Sequence, residues 1–313
     1  MNVQDIKKVV CIGGGTIGAS WATYYLWRGL DVTIQDITEE ALERAKNLIT
    51  SNINFLVEKG ILTEEMRQEI EERAVYTTDF EQALTGAHFI QESAFESYEV
   101  KQNIVNEMDK YAPEAIYSSS TSGLLITEIQ KNSKYPERCI VGHPFNPPHL
   151  IPLVEIVKGE KTSEETVKLA YDFYKAIGKE PIICNKEVPG HIANRVQMAL
   201  WREAADLVLN GVCSVQDVDL AVRYGPGLRW ALMGPHLTWD LSNPKGIAAT
   251  IHHIGPSMEM WLEDMAEWKK IPENTSEVLT EGLKEVTANT TPEELKAWRD
   301  DKLIEILKQV DKL

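Results

Sequence analysis

Six residues near the start of the chain, Gly13-Gly14-Gly15-Thr16-Ile17-Gly18, constrain its fold more than any other feature. They follow the apolar run at residues 9–12, which is typical of a buried strand, and they precede a helical run. Glycine at the first position allows a tight turn, glycine at the third lets backbone approach a pyrophosphate, and glycine at the sixth lets helix and strand pack closely. The helix start also offers free N–H groups and a positive dipole end to phosphates. We therefore predict a dinucleotide-binding turn formed by Gly13, Gly15, Thr16, Ile17 and Gly18.

An acidic residue, Asp36, follows the second apolar run and completes this pattern. A carboxylate at this place can accept hydrogen bonds from a ribose 2′-hydroxyl, and it would repel a 2′-phosphate. No lysine or arginine follows Asp36 before Arg44. The sequence therefore predicts NAD rather than NADP as the cofactor. A glycine-rich turn without a ligand, next to a surface aspartate, is the alternative.

Short apolar runs alternate with amphipathic segments through the first part of the chain, and this alternation is typical of a parallel sheet with helices between its strands. Eight runs carry the pattern, at residues 9–12, 32–35, 74–77, 88–91, 115–118, 139–142, 153–157 and 181–184. After residue 188 only helical periodicity follows. We predict an α/β fold: a Rossmann-type, doubly wound, mostly parallel sheet in residues 1–187, followed by a smaller all-α domain in residues 188–313. The second domain would close the substrate cleft.

The charge balance excludes several classes of partner. The 313 residues contain 32 Lys and Arg against 48 Asp and Glu, a formal net charge of −16, and no basic run offsets it. We therefore expect no nucleic acid and no membrane as a partner. No stretch reaches the ~18 apolar residues of a membrane helix, so we expect a cytoplasmic protein. The four cysteines form no CxxC or Cys/His cluster, which predicts buried free thiols and no metal site.

His143 and Glu155 are candidates for acid–base chemistry. Removal of a hydride from an alcohol requires a base that takes the hydroxyl proton near neutral pH, and histidine is the usual choice. His143 follows the run at residues 139–142, and Glu155 lies in the next run, after a turn. A carboxylate against one ring nitrogen would fix the tautomer while the other nitrogen takes the proton. On spacing alone, a packing histidine and a solvated glutamate remain the alternative.

Together with these motifs, further segments resemble the NAD-dependent L-3-hydroxyacyl-CoA dehydrogenase superfamily, in the same order and with matching spacing over nearly the whole chain. They are Ser119-Ser120-Thr121-Ser122, His143-Pro144-Phe145-Asn146-Pro147, Leu153-Val154-Glu155 and Asn194-Arg195. The resemblance implies a homodimer with a small-molecule substrate. It also implies a catalytic base with its orienting partner, two hydrogen-bond partners of the reacting oxygen, and two cofactor contacts, which are His143 with Glu155, Ser122 with Asn194, and Glu96 with Lys101.

The residues by themselves leave other roles open for four of these positions. Ser122 could be a helix N-cap, and Asn194 could be an ordinary polar residue of a helix. Glu96 and Lys101 could form a solvated helix face.

Three more segments resemble a branch of this family that acts on small free hydroxy acids. They are residues 91–93, residues 199–204, and residues 227–231 together with 234–235. The L-carnitine dehydrogenases are closer than the lambda-crystallin type L-gulonate dehydrogenases, which implies oxidation of the 3-hydroxyl of L-carnitine to 3-dehydrocarnitine. The asparagine at position 194 instead matches the residue found in the acyl-CoA enzymes, so 3-hydroxybutyryl-CoA is the alternative substrate. A non-catalytic, crystallin-like NAD-binding protein is the alternative of another class.

Charge favours the free acid. Residues 50–73 resemble the region that meets coenzyme A in the acyl-CoA enzymes, but they contain three cationic residues against six glutamates, which is a poor surface for a polyphosphate. The quaternary ammonium of carnitine would be held by aromatic faces, and its carboxylate by arginine. We expect Trp230, Trp239, Arg195 and Arg229 to contact the substrate. Helix packing or a dimer interface is the alternative role of the tryptophans.

Overall fold

A computed structural model describes residues 1–287, 290–310 and 312. The chain divides into two compact units. Unit 1 consists of Met1–Asn194 and Asp300–Leu313, and unit 2 of Arg195–Arg299. These units differ from the predicted division at residue 187 in two ways. Residues 188–194 belong to unit 1, and so does the C-terminal segment. The physical reason at the C-terminus is burial, since Ile304 and Leu307 lie in the apolar core of unit 1.

Unit 1 is built on one eight-stranded sheet with the strand order β3-β2-β1-β4-β5-β6-β7-β8. The strands are β1 Lys8–Ile12, β2 Asp31–Gln35, β3 Ala74–Thr77, β4 Phe89–Glu92, β5 Ile116–Ser119, β6 Cys139–Pro144, β7 Leu153–Lys158 and β8 Glu180–Cys184. All neighbours pair in parallel except β6 and β7, which are antiparallel. The predicted Rossmann-type, mostly parallel sheet is therefore confirmed, and each of the eight apolar runs forms a strand.

Seven α-helices connect these strands. They are α1 Thr16–Trp27, α2 Glu39–Glu58, α3 Glu64–Glu72, α4 Phe80–Leu84, α5 Tyr98–Tyr111, α6 Ile126–Ile129 and α7 Glu164–Ala176. Hydroxyl caps explain where several of them begin. The side chains of Thr38, Thr63 and Ser163 accept hydrogen bonds from backbone N–H groups in the first turns of α2, α3 and α7. Acidic residues follow each of these caps, at the positive end of the helix dipole.

The two faces of the sheet bury separate apolar clusters. Successive side chains of a strand point to opposite faces. In β1, Val9 and Cys11 accordingly lie in one cluster, and Val10 and Ile12 in the other. Helices therefore cover both faces, which is the reason the strands read as continuous apolar runs rather than as alternating ones.

Unit 2 is helical. Its helices follow one another along the chain; the first of them begins in unit 1, and the last of them ends there. They are α8 Ala193–Leu209, α9 Val215–Tyr224, α10 Pro226–Trp230, α11 Pro235–Asp240, α12 Ile247–Asp264, α13 Thr275–Val286 and α14 Pro292–Gln309. The predicted helical second domain is confirmed. Among the residues that the structure describes, no helix combines the length and the apolarity that a bilayer crossing requires.

Candidate active site

The segment 13–18, here called the glycine turn, has the backbone geometry that its glycines predict. Gly13 has a φ of 87°, in the left-handed region, and a Cβ there would lie 2.7 Å from the carbonyl oxygen of Ser93. A Cβ on Gly18 would lie 1.8 Å from the carbonyl oxygen of Gly13. A Cβ on Gly15 would meet nothing within 4 Å. The protein itself therefore needs glycine at 13 and 18, whereas the space beside Gly15 is open to a ligand.

A large cavity of about 1110 Å³ opens at this turn. Gly13, Gly15, Asp36, Ser93 and Phe95 are among its lining residues. The Asp36 carboxylate accepts a hydrogen bond from the backbone N–H of Gly14, with 2.7 Å between Oδ2 and the nitrogen. A carboxylate beside a glycine turn at a helix N-terminus fits a dinucleotide that presents a ribose to Asp36 and its phosphates to the turn.

Lys101 is not solvated, contrary to the alternative left open by the sequence. Its side chain is 1% exposed, and Nζ lies 2.8 Å from Oε1 of Glu92 and 3.3 Å from Oε2 of Glu96. Glu92 is fully buried at the end of β4 and also accepts hydrogen bonds from the hydroxyls of Tyr117 and Ser119. The sequence analysis assigned no role to Glu92 itself, although an acid at the carboxyl end of an apolar run was a usable signal. Thr16, Ile17, Gly18, Glu96 and Lys101 do not line the large cavity.

The structure brings His143 and Glu155 together. The two residues are directly paired across the antiparallel strands β6 and β7. His143 Nδ1 lies 2.8 Å from Glu155 Oε2, His143 is 6% exposed and Glu155 has no exposed surface. The other carboxylate oxygen, Oε1, accepts hydrogen bonds from the backbone N–H groups of Ile192 and Ala193, at 2.8 and 2.9 Å. Both oxygens of the buried carboxylate are therefore satisfied.

These contacts favour the ionised form of the Glu155 carboxylate. Burial acts to raise the pKa of Glu155, but the hydrogen bonds from His143 and from the N–H groups of Ala193 and Ile192 outweigh it and hold the pKa below its ordinary value. An ionised carboxylate only accepts hydrogen bonds, so Nδ1 of His143 carries the proton. Within the described residues no hydrogen bond is made to Nε2 of His143. That nitrogen is consequently free to accept a proton.

A second histidine, His191, lies beside this pair and was missed by the sequence analysis. The ring centroids of His143 and His191 are 5.2 Å apart, and His191 Nε2 is 3.1 Å from the carbonyl oxygen of Thr121. His191 has a φ of 48°, in the left-handed region that non-glycine residues rarely adopt. This backbone conformation precedes the two N–H groups that bind Glu155. Burial lowers the pKa of His191, which favours its neutral form.

Ser122 lies in the segment between β5 and α6, and Asn194 is the second residue of α8. Ser122 is exposed, and Thr121 rather than Ser122 accepts the hydrogen bond of the Leu124 N–H, at 2.9 Å. The N-cap interpretation of Ser122 is therefore wrong. Asn194 is half-buried in the first turn of α8, next to Ala193, whose N–H binds Glu155.

The other predicted substrate residues belong to unit 2. Arg195 lies on α8, Arg229 and Trp230 on α10, and Trp239 on α11. Both tryptophans are partly exposed, at 41% and 37%. In the ranges that the structure describes, no group of three His, Cys, Asp or Glu side chains could hold a metal ion. Cys11, Cys139 and Cys184 are buried and free, and Cys213 is half-buried.

Comparison with known proteins identifies the family. Residues 8–188 match the model of the 3-hydroxyacyl-CoA dehydrogenase NAD binding domain, and residues 190–281 match that of the C-terminal domain. An L-carnitine dehydrogenase of Streptomyces coelicolor is 38% identical over 99% of this chain and 96% of its own length. A 3-hydroxyacyl-CoA dehydrogenase of Gibberella moniliformis is 39% identical over 84% of this chain and 81% of its own length.

A solved structure extends the similarity to the fold. It is that of 5-formyl-3-hydroxy-2-methylpyridine 4-carboxylic acid 5-dehydrogenase, an NAD+-dependent dismutase. The two structures superpose with a TM-score of 0.82 at 30% identity, over 98% of this chain and 99% of the other. The predicted cofactor, NAD, and the predicted enzyme class are confirmed by these matches. The chain therefore belongs to the 3-hydroxyacyl-CoA dehydrogenase family and is an NAD-dependent oxidoreductase that acts on a CH–OH group.

Proposed function

We propose that the protein oxidises the 3-hydroxyl of a small free L-3-hydroxy acid, and that this acid is L-carnitine, which becomes 3-dehydrocarnitine. The observation that carries the proposal is the buried pair of His143 and Glu155, with 2.8 Å between Nδ1 and Oε2. The full-length similarity to L-carnitine dehydrogenases supports the choice of substrate.

The pair performs the proton transfer. Nε2 of His143 takes the hydroxyl proton as the C3–H bond breaks, and the fixed Glu155 carboxylate stabilises the imidazolium that forms. NAD, when bound at the glycine turn, supplies the hydride acceptor. In the reverse direction Ser122 and Asn194 donate hydrogen bonds to the carbonyl oxygen and polarise it. The alcohol thus loses one hydride and one proton, and a ketone remains.

The charges of residues 50–73 favour a free acid over a coenzyme A thioester. Each of the three cationic side chains in this segment already has a partner within unit 1. Lys59 Nζ lies 2.7 Å from Asp301 Oδ1, Arg67 Nε lies 3.2 Å from Glu64 Oε2, and Arg73 donates to the carbonyl oxygen of Leu26. A polyphosphate would have to displace these partners, and a small zwitterion would not.

A substrate panel tests the proposal. With NAD in excess, we expect a higher kcat/KM for L-carnitine than for L-3-hydroxybutyryl-CoA, measured as NADH formation. The His143→Gln variant should lose about 10²–10⁴-fold in kcat while it still binds NADH, because only the proton transfer is removed. A higher kcat/KM for the thioester would instead identify L-3-hydroxybutyryl-CoA as the substrate. That alternative is favoured by the similarity to the Gibberella 3-hydroxyacyl-CoA dehydrogenase and by Asn194. Turnover of His143→Gln at the wild-type rate would refute the assignment of His143 as the catalytic base.

Trp230 and Trp239 have two candidate roles, and one experiment distinguishes them. In the first, Trp230 and Trp239 form part of an aromatic cage for the quaternary ammonium, and Arg195 or Arg229 binds the carboxylate. In the second, the exposed apolar side chains of unit 2 form a homodimer interface. We expect Trp230→Leu and Trp239→Leu to raise the KM for L-carnitine about tenfold at an unchanged mass in light scattering. An unchanged KM with a halved mass would assign the tryptophans to the interface instead.

A further inference from the structure

A second cavity, of about 580 Å³, lies in unit 1 and shares no lining residue with the cavity at the glycine turn. It is formed by the ends of α1, α2 and α14 and by the turn between α7 and β8. Its described lining includes five cationic side chains and one acidic one, which are Arg28, Lys175, Lys179, Lys308, Lys312 and Glu180. In a chain with a net charge of −16, this basic cavity is a local region of positive potential.

Protein carboxylates neutralise only part of this charge. Glu180 binds Lys175, at 2.6 Å between Oε2 and Nζ, and it also binds Lys312. Arg28 and Lys308 form no ion pair with a carboxylate of the residues that the structure describes. The guanidinium of Arg28 lies over the ring of Trp27, 4.2 Å from its centroid, which holds it at the cavity wall. A planar group with five N–H donors is therefore fixed in place without an anionic partner.

Lys179 connects the basic cavity to the strands of the candidate active site. It is 1% exposed, and Nζ donates hydrogen bonds to the carbonyl oxygens of Pro148 and Ile151. These carbonyls belong to the segment that joins β6, with His143, to β7, with Glu155. Burial and the repulsion of Arg28 lower the pKa of Lys179. An anion in the cavity would offset both effects and favour the charged form that holds this segment.

We propose that the basic cavity binds a compact polyanion of the phosphate-bearing class. Arginine binds phosphate oxygens through two parallel N–H donors, and lysines add point charges around it. The volume lies within the range of small-molecule sites. Several converging cations select a multiply charged group over a single carboxylate. This assignment is independent of the substrate proposed above, because the two sites share no residue.

Calorimetric titration with inorganic triphosphate tests the site. The protein is first saturated with NADH, so that the glycine turn is occupied. We expect one saturable site, and binding about tenfold weaker or more in the Arg28→Gln/Lys308→Gln double variant, which loses two cationic contacts. Both side chains are exposed, so the double variant should keep the wild-type circular dichroism spectrum. Lys168→Gln is the matched control, because Lys168 is exposed and pairs with Asp172 outside the cavity.

Two further probes distinguish sources of the anion. Tighter binding of ADP than of triphosphate would support a nucleotide, and tighter binding of triphosphate would support a phosphate chain alone. Citrate that binds as tightly as triphosphate would overturn the phosphate class. Absence of saturable binding by all three probes, or equal binding by the double variant and the wild type, would overturn the site itself while leaving the carnitine assay unaffected.

Discussion

The charge of a single buried side chain, Glu155, links the candidate site to the stability of the protein. Its pKa is lower in the folded protein than the ordinary value of 4.5. Its ionisation therefore stabilises the fold above pH 4.5, and this stabilisation is lost as the pH falls through the lower folded pKa. We expect Glu155→Gln to lower the free energy of unfolding at neutral pH by about 1–3 kcal/mol, because a charged acceptor of three hydrogen bonds is replaced.

Thermal unfolding of wild type and Glu155→Gln between about pH 7 and about pH 3 measures this contribution. The two melting curves should converge as the pH falls below 4.5, because the wild type then loses the charge that the variant never had. A constant difference in melting temperature across the whole range would show that the carboxylate is not the group that titrates.

At this scale the sequence predicted contacts between neighbours in the chain and missed contacts between distant segments. His143 and Glu155 are twelve residues apart on two strands joined by a turn, so their approach followed from local structure. His191 is brought to them by the segment that follows β8, and Glu92 on β4 accepts a hydrogen bond from Tyr117, which lies 25 residues later on β5. No periodicity encodes such meetings, because they depend on how separate elements pack.

The glycine turn shows at the scale of one element which glycines serve the fold and which serve the ligand. We expect Gly18→Ala to destabilise the protein, because its Cβ would lie 1.8 Å from the carbonyl oxygen of Gly13. Gly15→Ala should unfold at the wild-type temperature, since its Cβ meets nothing within 4 Å, but it should bind NADH more weakly by about tenfold or more.

Thermal unfolding and NADH fluorescence titration of the two variants provide the measurement, and each variant is the control of the other. If Gly15→Ala binds NADH as well as the wild type, the pyrophosphate does not approach the backbone at Gly15. If Gly18→Ala unfolds at the same temperature as the wild type, the backbone of the glycine turn can shift to accept a Cβ at position 18.

Strands and helices were predictable because buried strands and amphipathic helices leave different periods in a sequence. The direction of β7 was not, since an apolar run looks the same in either direction. Hydrophobic periodicity also could not show which residues belong to unit 1. Residues of α14 have one helical pattern throughout, yet its two parts belong to different units.

At the scale of the whole molecule, α14 makes unit 1 discontinuous in the chain. Ile304 is 3% exposed in the core of unit 1, whereas Ile306, two residues later on the same helix, is 48% exposed. We expect Ile304→Ala to lower the free energy of unfolding by about 2–5 kcal/mol, through lost burial and a cavity. The matched control Ile306→Ala should change it by less than about 0.5 kcal/mol.

Urea unfolding of the two variants, followed by the fluorescence of the tryptophans, measures the difference. Equal midpoints for Ile304→Ala and the wild type would mean that unit 1 is complete without the C-terminal segment.

The return of α14 also has a consequence for synthesis of the protein on the ribosome. The strands of the sheet all precede Asn194, whereas Ile304 and Leu307 are translated only after unit 2. At ~5–20 residues per second, the intervening segment takes on the order of 5–20 s to synthesise. During that interval the nascent sheet domain exposes the apolar surface that these two side chains later cover. We therefore expect chaperones to bind the emerging chain during this interval, and unit 1 to complete its core only after unit 2 has been synthesised.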